Sequence, residues 1–288
     1  MPEPLLAPVC TPWPQPALPS RRRAKHRRRF LPAICLLIGL TAGLVGGAAR
    51  AAETRGVLPP LVEGDRVGAG WVFQGLPDQT LPRTRYDVAV DDGSPVLRVS
   101  AEGSYGHLVH TLPAPRPAGL LQWRWRLDQG NPAADLRQRQ GDDNPIKVCA
   151  SFALPPQKVP FLERQLLRLA QTRTGQPLPL ATLCYVWDLR EAAGVVLDNA
   201  YTRRVRLWVL RSGQPPTSTM GAQAWMAERR DLAADFRIAF GDEWPVSAGP
   251  VPAVTAVWVS GDADNTGGRS VARVADLQWH DAAAGAAR

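Results

Sequence analysis

Histidine is nearly absent from this chain: its 288 residues include 4, and beyond residue 51 only His107, His110 and His280 remain. His107 and His110 stand three apart, so on a strand they face opposite sides and cannot chelate one ion, which argues against a zinc centre. A serine nucleophile elbow, a phosphate-binding glycine loop and a dinucleotide fingerprint are also missing; Gly68-Ala69-Gly70 lacks the third glycine and a following helix. No complete catalytic or cofactor signature is left. A glycosidase of the two-carboxylate kind stays open, because that chemistry asks only for two suitably spaced acids.

A basic surface is lacking too, once the charge is divided along the chain. Of 34 Lys and Arg, 8 lie in residues 1–51 against the single acid Glu3, so the remainder carries 26 basic and 25 acidic residues, or 26 − 25 = +1. Nucleic acid is thereby disfavoured as a partner.

What the first 51 residues do hold is an address. Residues 1–20, with seven prolines, form no packed element. They are followed by an arginine cluster at 21–29, an apolar run at 30–49 and the small-residue site Ala49-Arg50-Ala51, the three parts of an export signal cleaved near Ala51 or Ala52. Arg27-Arg28-Arg29-Phe30-Leu31 fits the twin-arginine pattern, with ordinary secretion an equal alternative. If the run is left uncleaved it is long enough to anchor the chain, and this segment is then the one membrane contact expected. Either way the rest lies outside the cytoplasm, periplasmic or secreted.

Residues 52–288 show no repeat and no linker, and read as a single domain. From Trp71 onward, short apolar or alternating runs are separated by Gly, Pro, Asp and Asn, which predicts strands at 84–90, 96–101, 107–112, 120–128, 146–154, 181–187, 205–211, 225–229, 253–260 and 270–280. Asp91-Asp92-Gly93 predicts a hairpin turn between the first two. Phe161, Leu162, Leu166 and Leu169 fall at helical spacing after Pro160, predicting an amphipathic helix over 159–172. Asp231 is placed to cap a second helix with Leu232, Phe236 and Phe240 inward and Gly241 at its end.

Leu121, Trp123, Trp125 and Leu127 alternate with Gln122, Arg124, Arg126 and Asp128, so one face of this strand carries two indoles and the other two guanidinium groups. The indoles fit a core better than a sugar platform, since leucines flank them on their own face. The arginines make the more site-like face. Asp142-Asp143-Asn144-Pro145 and Gly261-Asp262-Ala263-Asp264-Asn265-Thr266-Gly267-Gly268 each offer hard oxygen ligands at a turn. The second resembles the first half of a calcium loop, yet Arg273 stands where the bidentate glutamate belongs, which excludes an EF-hand. A turn held by its own Asp and Asn side chains is the alternative to a metal or ligand site. Cys149 and Cys184 both alternate with larger apolar residues, so a disulfide between neighbouring strands and two free thiols are both open.

The order Trp123-Arg124-Trp125, Gly141-Asp142-Asp143, Tyr185-Val186-Trp187, Asp235-Phe236 with Phe240-Gly241, then Asp262-Ala263-Asp264-Asn265-Thr266 resembles a bacterial family known as domain of unknown function 3047. That resemblance implies an exported single-domain bacterial protein and carries over no catalytic residues. A looser similarity runs to galactose-binding-like jelly-roll modules, which also finish on an Asp-rich turn and a strand ending in aspartate, here Val274-Ala275-Asp276.

The expected fold is all-β: a two-sheet β-sandwich of jelly-roll type with two short inserted helices. The leading functional expectation is non-catalytic binding of a glycan or similar polar ligand through Arg124, Arg126, Asp142, Asp143, Asp262, Asp264 and Asn265. One alternative is a polysaccharide-active lyase or hydrolase using acids near Asp142 and Asp262 with Arg124 or Arg126. Another is a structural partner of an envelope component, docking through the Phe161 helix. The four aspartates are expected to converge on one edge and hold either Ca²⁺, through Asp262 and Asp264, or a cationic group such as Arg124.

Overall fold

The structure, a computed structural model, describes residues 58–76, 78–174, 179–214 and 224–281; the stretch expected to act as an export signal lies outside them. Strands follow the alternation of the sequence. They are β1 (Val62–Glu63), β2 (Arg66–Val67), β3 (Val72–Gln74), β4 (Arg85–Asp91), β5 (Ser94–Glu102), β6 (His107–Arg116), β7 (Leu120–Gln129), β8 (Ile146–Phe152), β9 (Ala181–Asp188), β10 (Val196–Asp198), β11 (Val205–Ser212), β12 (Met226–Asp231), β13 (Val254–Ser260) and β14 (Arg269–His280), with helices α1 (Phe161–Thr174) and α2 (Leu232–Ala239). All ten anticipated strands form. The four others, β1, β2, β3 and β10, have two or three residues each and no readable period.

Beside the two-stranded pair β1-β2, one large sheet has the order β10-β11-β9-β8-β13-β6-β3 and the other β12-β7-β14-β5-β4. Successive strands β5, β6, β7 and β8 cross between the sheets, and so do β12, β13 and β14. This interleaving is the strand order of a jelly roll. The β4–β5 hairpin closes on Asp92 and Gly93, both at positive φ (48° and 76°), the backbone that a two-residue turn of this kind requires.

Between the sheets runs an aromatic chain. Trp123 and Trp125 meet edge to face at 5.4 Å, Trp123 lies 5.3 Å from Tyr185, and Trp125 lies 6.0 Å from Trp187 across the sandwich. Trp123 and Trp125 are 1% and 0% exposed, so they are core and no sugar platform. Asp231 caps α2 by accepting from the amides of Ala233 and Ala234, and Phe236 and Phe240 stack inward. Asp235 accepts from the Tyr185 hydroxyl at 2.6 Å and from Arg230 at 2.7 Å, tying α2 to the sheet.

The first helix departs from expectation. Leu167 packs on the core and Glu163 turns inward to Arg204 at 2.9 Å, while Phe161, Leu162 and Leu169 face outward. Helical spacing defines an apolar stripe but not which way it points.

Cys149 and Cys184 are opposite one another on β8 and β9 and are joined by a disulfide. Their side of the sheet is not solvated, for Leu136 from the β7–β8 connection lies over it with Val186, Leu207 and Val209. Every residue of β8 and β9 is consequently buried. The bridge closes a segment of sequence separation 35, and loops of this size stabilise a fold by about 4 kcal/mol in the chain-entropy account. In the chain from Ala52, where these are the remaining cysteines, neither thiol should react with maleimide after denaturation without reductant. The paired Cys149→Ala, Cys184→Ala variant should lose about 2–4 kcal/mol in denaturant unfolding. Labelling at both positions without reductant contradicts the bridge.

Candidate functional site

Strand pairing decides where the acidic turns go. Lys147, near the start of β8, pairs with Ser260 at the end of β13, and Ser260 pairs with His107 at the start of β6. The connections β5–β6, β7–β8 and β13–β14 therefore meet, and Asp142, Asp143, Asp262, Asp264 and Asn265 come together at one edge. The chain at Gly261 passes so close to Pro145 that a Cβ would sit 2.7 Å from its carbonyl oxygen, and at Gly268 a Cβ would fall 2.6 Å from the Asn131 amide. Glycine is required at the first point, where the obstacle is backbone, while at the second a side chain would displace the buried Asn131 amide.

Two of the carboxylates are consumed by structure. Asp143, fully buried, accepts from the Asn265 amide at 3.0 Å and the Thr266 amide at 2.8 Å, with the Asn265 side chain at 3.2 Å and the Thr266 hydroxyl at 2.5 Å. Asp262 accepts from the Asn144 amide at 2.6 Å and from Lys147 Nζ at 2.6 Å, and its own amide donates to the Asn144 carbonyl at 3.0 Å. Burial alone pushes the Asp262 carboxyl up and the Lys147 ammonium down. At Asp262 burial outweighs the opposing pull of Lys147 and the Asn144 amide and leaves the carboxyl above its usual range, whereas Asp262 and Asp142 hold Lys147 above the usual lysine range, so the ammonium stays charged.

The other two retain capacity. Asp142 is reached by the Asn199 side-chain amide at 2.5 Å; burial outweighs the pull of Lys147 and lifts its pKa to about 6. Asp264 is half-buried, is lifted to about 6 by burial and the Asp262 charge, and its Oδ1 has no partner among the described residues. Tyr201, 54% exposed, stands beside them: its hydroxyl lies 2.7 Å from Asn265 Oδ1 and 2.9 Å from the Arg139 carbonyl, and the Arg139 guanidinium packs over its ring.

Behind this rim, His107 sits with Nε2 2.9 Å from the Tyr105 hydroxyl and Nδ1 2.9 Å from the Ser260 hydroxyl, its ring 4.4 Å from Trp258. Burial and the nearby Lys147 charge depress its pKa to about 3, and burial raises Tyr105 to about 12. Neither ionises near neutrality, so both serve as hydrogen-bonding groups.

Residues 69–278 match the family model described as Protein of unknown function (DUF3047). The chain belongs to this family. The DUF3047 segment contains every residue of the acidic edge, and no curated protein matches the chain.

One expectation about the DUF3047 edge needs correction. Arg124 and Arg126 are not part of it: Arg124 bonds Asp276 at 2.5 Å, and Arg126 bonds Asp91 at 2.9 Å and Asp128 at 2.7 Å, on the outer face of the five-stranded sheet under Trp225. The compensating cation is Lys147. As to the calcium expected at Asp262 and Asp264, no group of three or more His, Cys, Asp or Glu among the described residues is arranged to hold a metal. The oxygens of Asp143 and Asp262 are already occupied by amides, a hydroxyl and an ammonium, whereas Ca²⁺ asks for six to eight oxygens. Lys147, Asn199, Tyr201 and Tyr105 were the residues missed; a lysine inside the apolar run 146–152 was a usable sign for the first.

For Asp142 and Asp264 the folded values near 6 exceed the ordinary 3.8. The folded chain thus holds protons that the unfolded chain has already released, and this contribution is full below about pH 4 and lost as pH rises through about 6. Each unit is worth about 1.4 kcal/mol, with Asp264 discounted for its exposure. The paired Asp142→Asn, Asp264→Asn variant should match the parent near pH 4 and exceed its stability by on the order of 3 kcal/mol above about pH 7. Denaturant unfolding across that range reads it out, and a difference independent of pH contradicts the assignment.

Proposed function

We propose that this protein is an exported, non-catalytic binding module that takes a neutral polyhydroxylated ligand, a glycan in the first instance, at the edge formed by Asp142, Asp264, Asn199, Asn265 and Tyr201. Export is supported by the arginine cluster, apolar run and small-residue site of the first 51 residues. The observation that carries the binding reading is the exposed Tyr201 ring beside Asp264, whose buried Oδ1 has no partner among the described residues. A hydroxyl group can donate to such an oxygen and accept from an amide such as Asn199, while an aromatic ring packs against the apolar C–H face of a sugar. Carboxyls titrating near 6 can act as donor or acceptor, which suits hydroxyls better than ions of fixed sign.

The catalytic alternative loses support from geometry, because the arginines it drew on are engaged on the outer face of the other sheet. An array of neutral oligosaccharides, followed by calorimetry on any that bind, tests the proposal. Tyr201→Ala and Asp264→Ala should each weaken binding by about tenfold or more, the range of a loss near 1.4 kcal/mol, with the oligosaccharide recovered intact. No binding across the array, or binding indifferent to both substitutions, overturns it; release of shortened or unsaturated products assigns an enzyme instead.

A further inference from the structure

The outward face of α1 belongs to no site described so far. Phe161, Leu162 and Leu169 are 62%, 75% and 52% exposed on a helix of 14 residues, about 21 Å long. No helix among the described residues is long and apolar enough to cross a membrane, so any lipid contact by α1 has to lie along a surface. Its charge is one-sided. Residues 156–174 hold Lys158, Arg164, Arg168 and Arg173 against Glu163, a net of 4 − 1 = +3, whereas the chain after residue 51 sums to +1, leaving 1 − 3 = −2 for everything else.

The single acid does not offset this outside. Glu163 points into the body, where Arg204 holds it at 2.9 Å and is itself held by Glu243. Arg164 lies four residues before Arg168, one turn apart along the flank of the apolar stripe, and the Arg164 guanidinium reaches over the Phe161 ring. Leu162 and Leu169 two turns apart on one line, Phe161 about a quarter-turn round from them on the same outward side, arginines beside them and the only carboxylate turned away make the pattern of a helix that lies in a lipid–water interface. Arginine and lysine stems can reach up to phosphate groups while the leucines enter the acyl boundary. A protein groove would equally accept the leucines, but it would not by itself explain why basic charge is concentrated here on a body otherwise slightly acidic.

From this we infer that α1 seats the protein on an anionic lipid surface, with Phe161, Leu162 and Leu169 inserted and its basic flank, Lys158 and Arg164 among it, against phosphate. The inference is independent of the ligand proposed for the acidic edge. It also differs from attachment through residues 30–49, so the test uses the chain from Ala52, whose core residues, Leu58 to Trp279, all lie beyond that segment. Co-sedimentation is measured with phosphatidylcholine vesicles, with and without phosphatidylglycerol, for the parent and for the paired Leu162→Asp, Leu169→Asp variant; circular dichroism checks the fold, and Leu162→Ser alone replaces the pair if the pair unfolds. The parent should partition at least tenfold more strongly onto the phosphatidylglycerol vesicles, more weakly as salt is added, and the variant should lose that preference. No binding by the parent, or equal binding by parent and variant, overturns the inference. A parent dimer in sedimentation without lipid that the substitutions dissolve assigns the face to a second copy and overturns it as well.

Discussion

The buried contact between Lys147 and Asp262 is the constraint on which the candidate edge depends. Both side chains are nearly out of water, a state that is costly for either charge alone and tolerable for the pair only when the remaining oxygen is also satisfied. The Asn144 amide satisfies it. Through these contacts the start of β8 is fastened to the turn after β13, two segments separated by more than a hundred residues of sequence. Asp143 then holds the far side of the same turn through the Asn265 and Thr266 amides.

One ammonium cannot neutralise four carboxylates. Asp262 takes the ammonium and Asp143 takes backbone amides, so Asp142 and Asp264 are left with burial largely uncompensated and are pushed toward the neutral acid. The edge that results is rich in hydrogen-bonding groups yet carries less negative charge than its composition suggests. That is the ground for proposing hydroxyl recognition at this edge. The jelly-roll order supplies the juxtaposition, and the disulfide beneath Leu136 fixes the neighbouring strands over which the β7–β8 connection lies.

Much of this was legible residue by residue. Period-two alternation exposed the long strands because each has one face on the core, and Asp92-Gly93 and Asp231 exposed a turn and a cap because both rest on local chemistry. Features that depend on distant partners were not legible. Arg124 and Arg126 are near Asp142 in sequence, but β7 belongs to the other sheet, and their acids, Asp91, Asp128 and Asp276, share its outer face. Lys147 went unnoticed since its partner stands 115 residues away. The orientation of α1 was settled by Glu163 and Arg204, a pairing that helical periodicity does not contain.

A double-mutant cycle on Lys147→Met and Asp262→Asn, read by denaturant unfolding of the chain from Ala52 at neutral pH, tests the central claim most directly. Removing one partner should strand the other without water, so Lys147→Met alone should cost about 3–5 kcal/mol. The double variant should cost clearly less than the sum of the two single variants, since neither charge is then left unpaired. A Lys147→Met variant within about 0.5 kcal/mol of the parent, or two losses that simply add, would contradict the pair as the fastening of this edge.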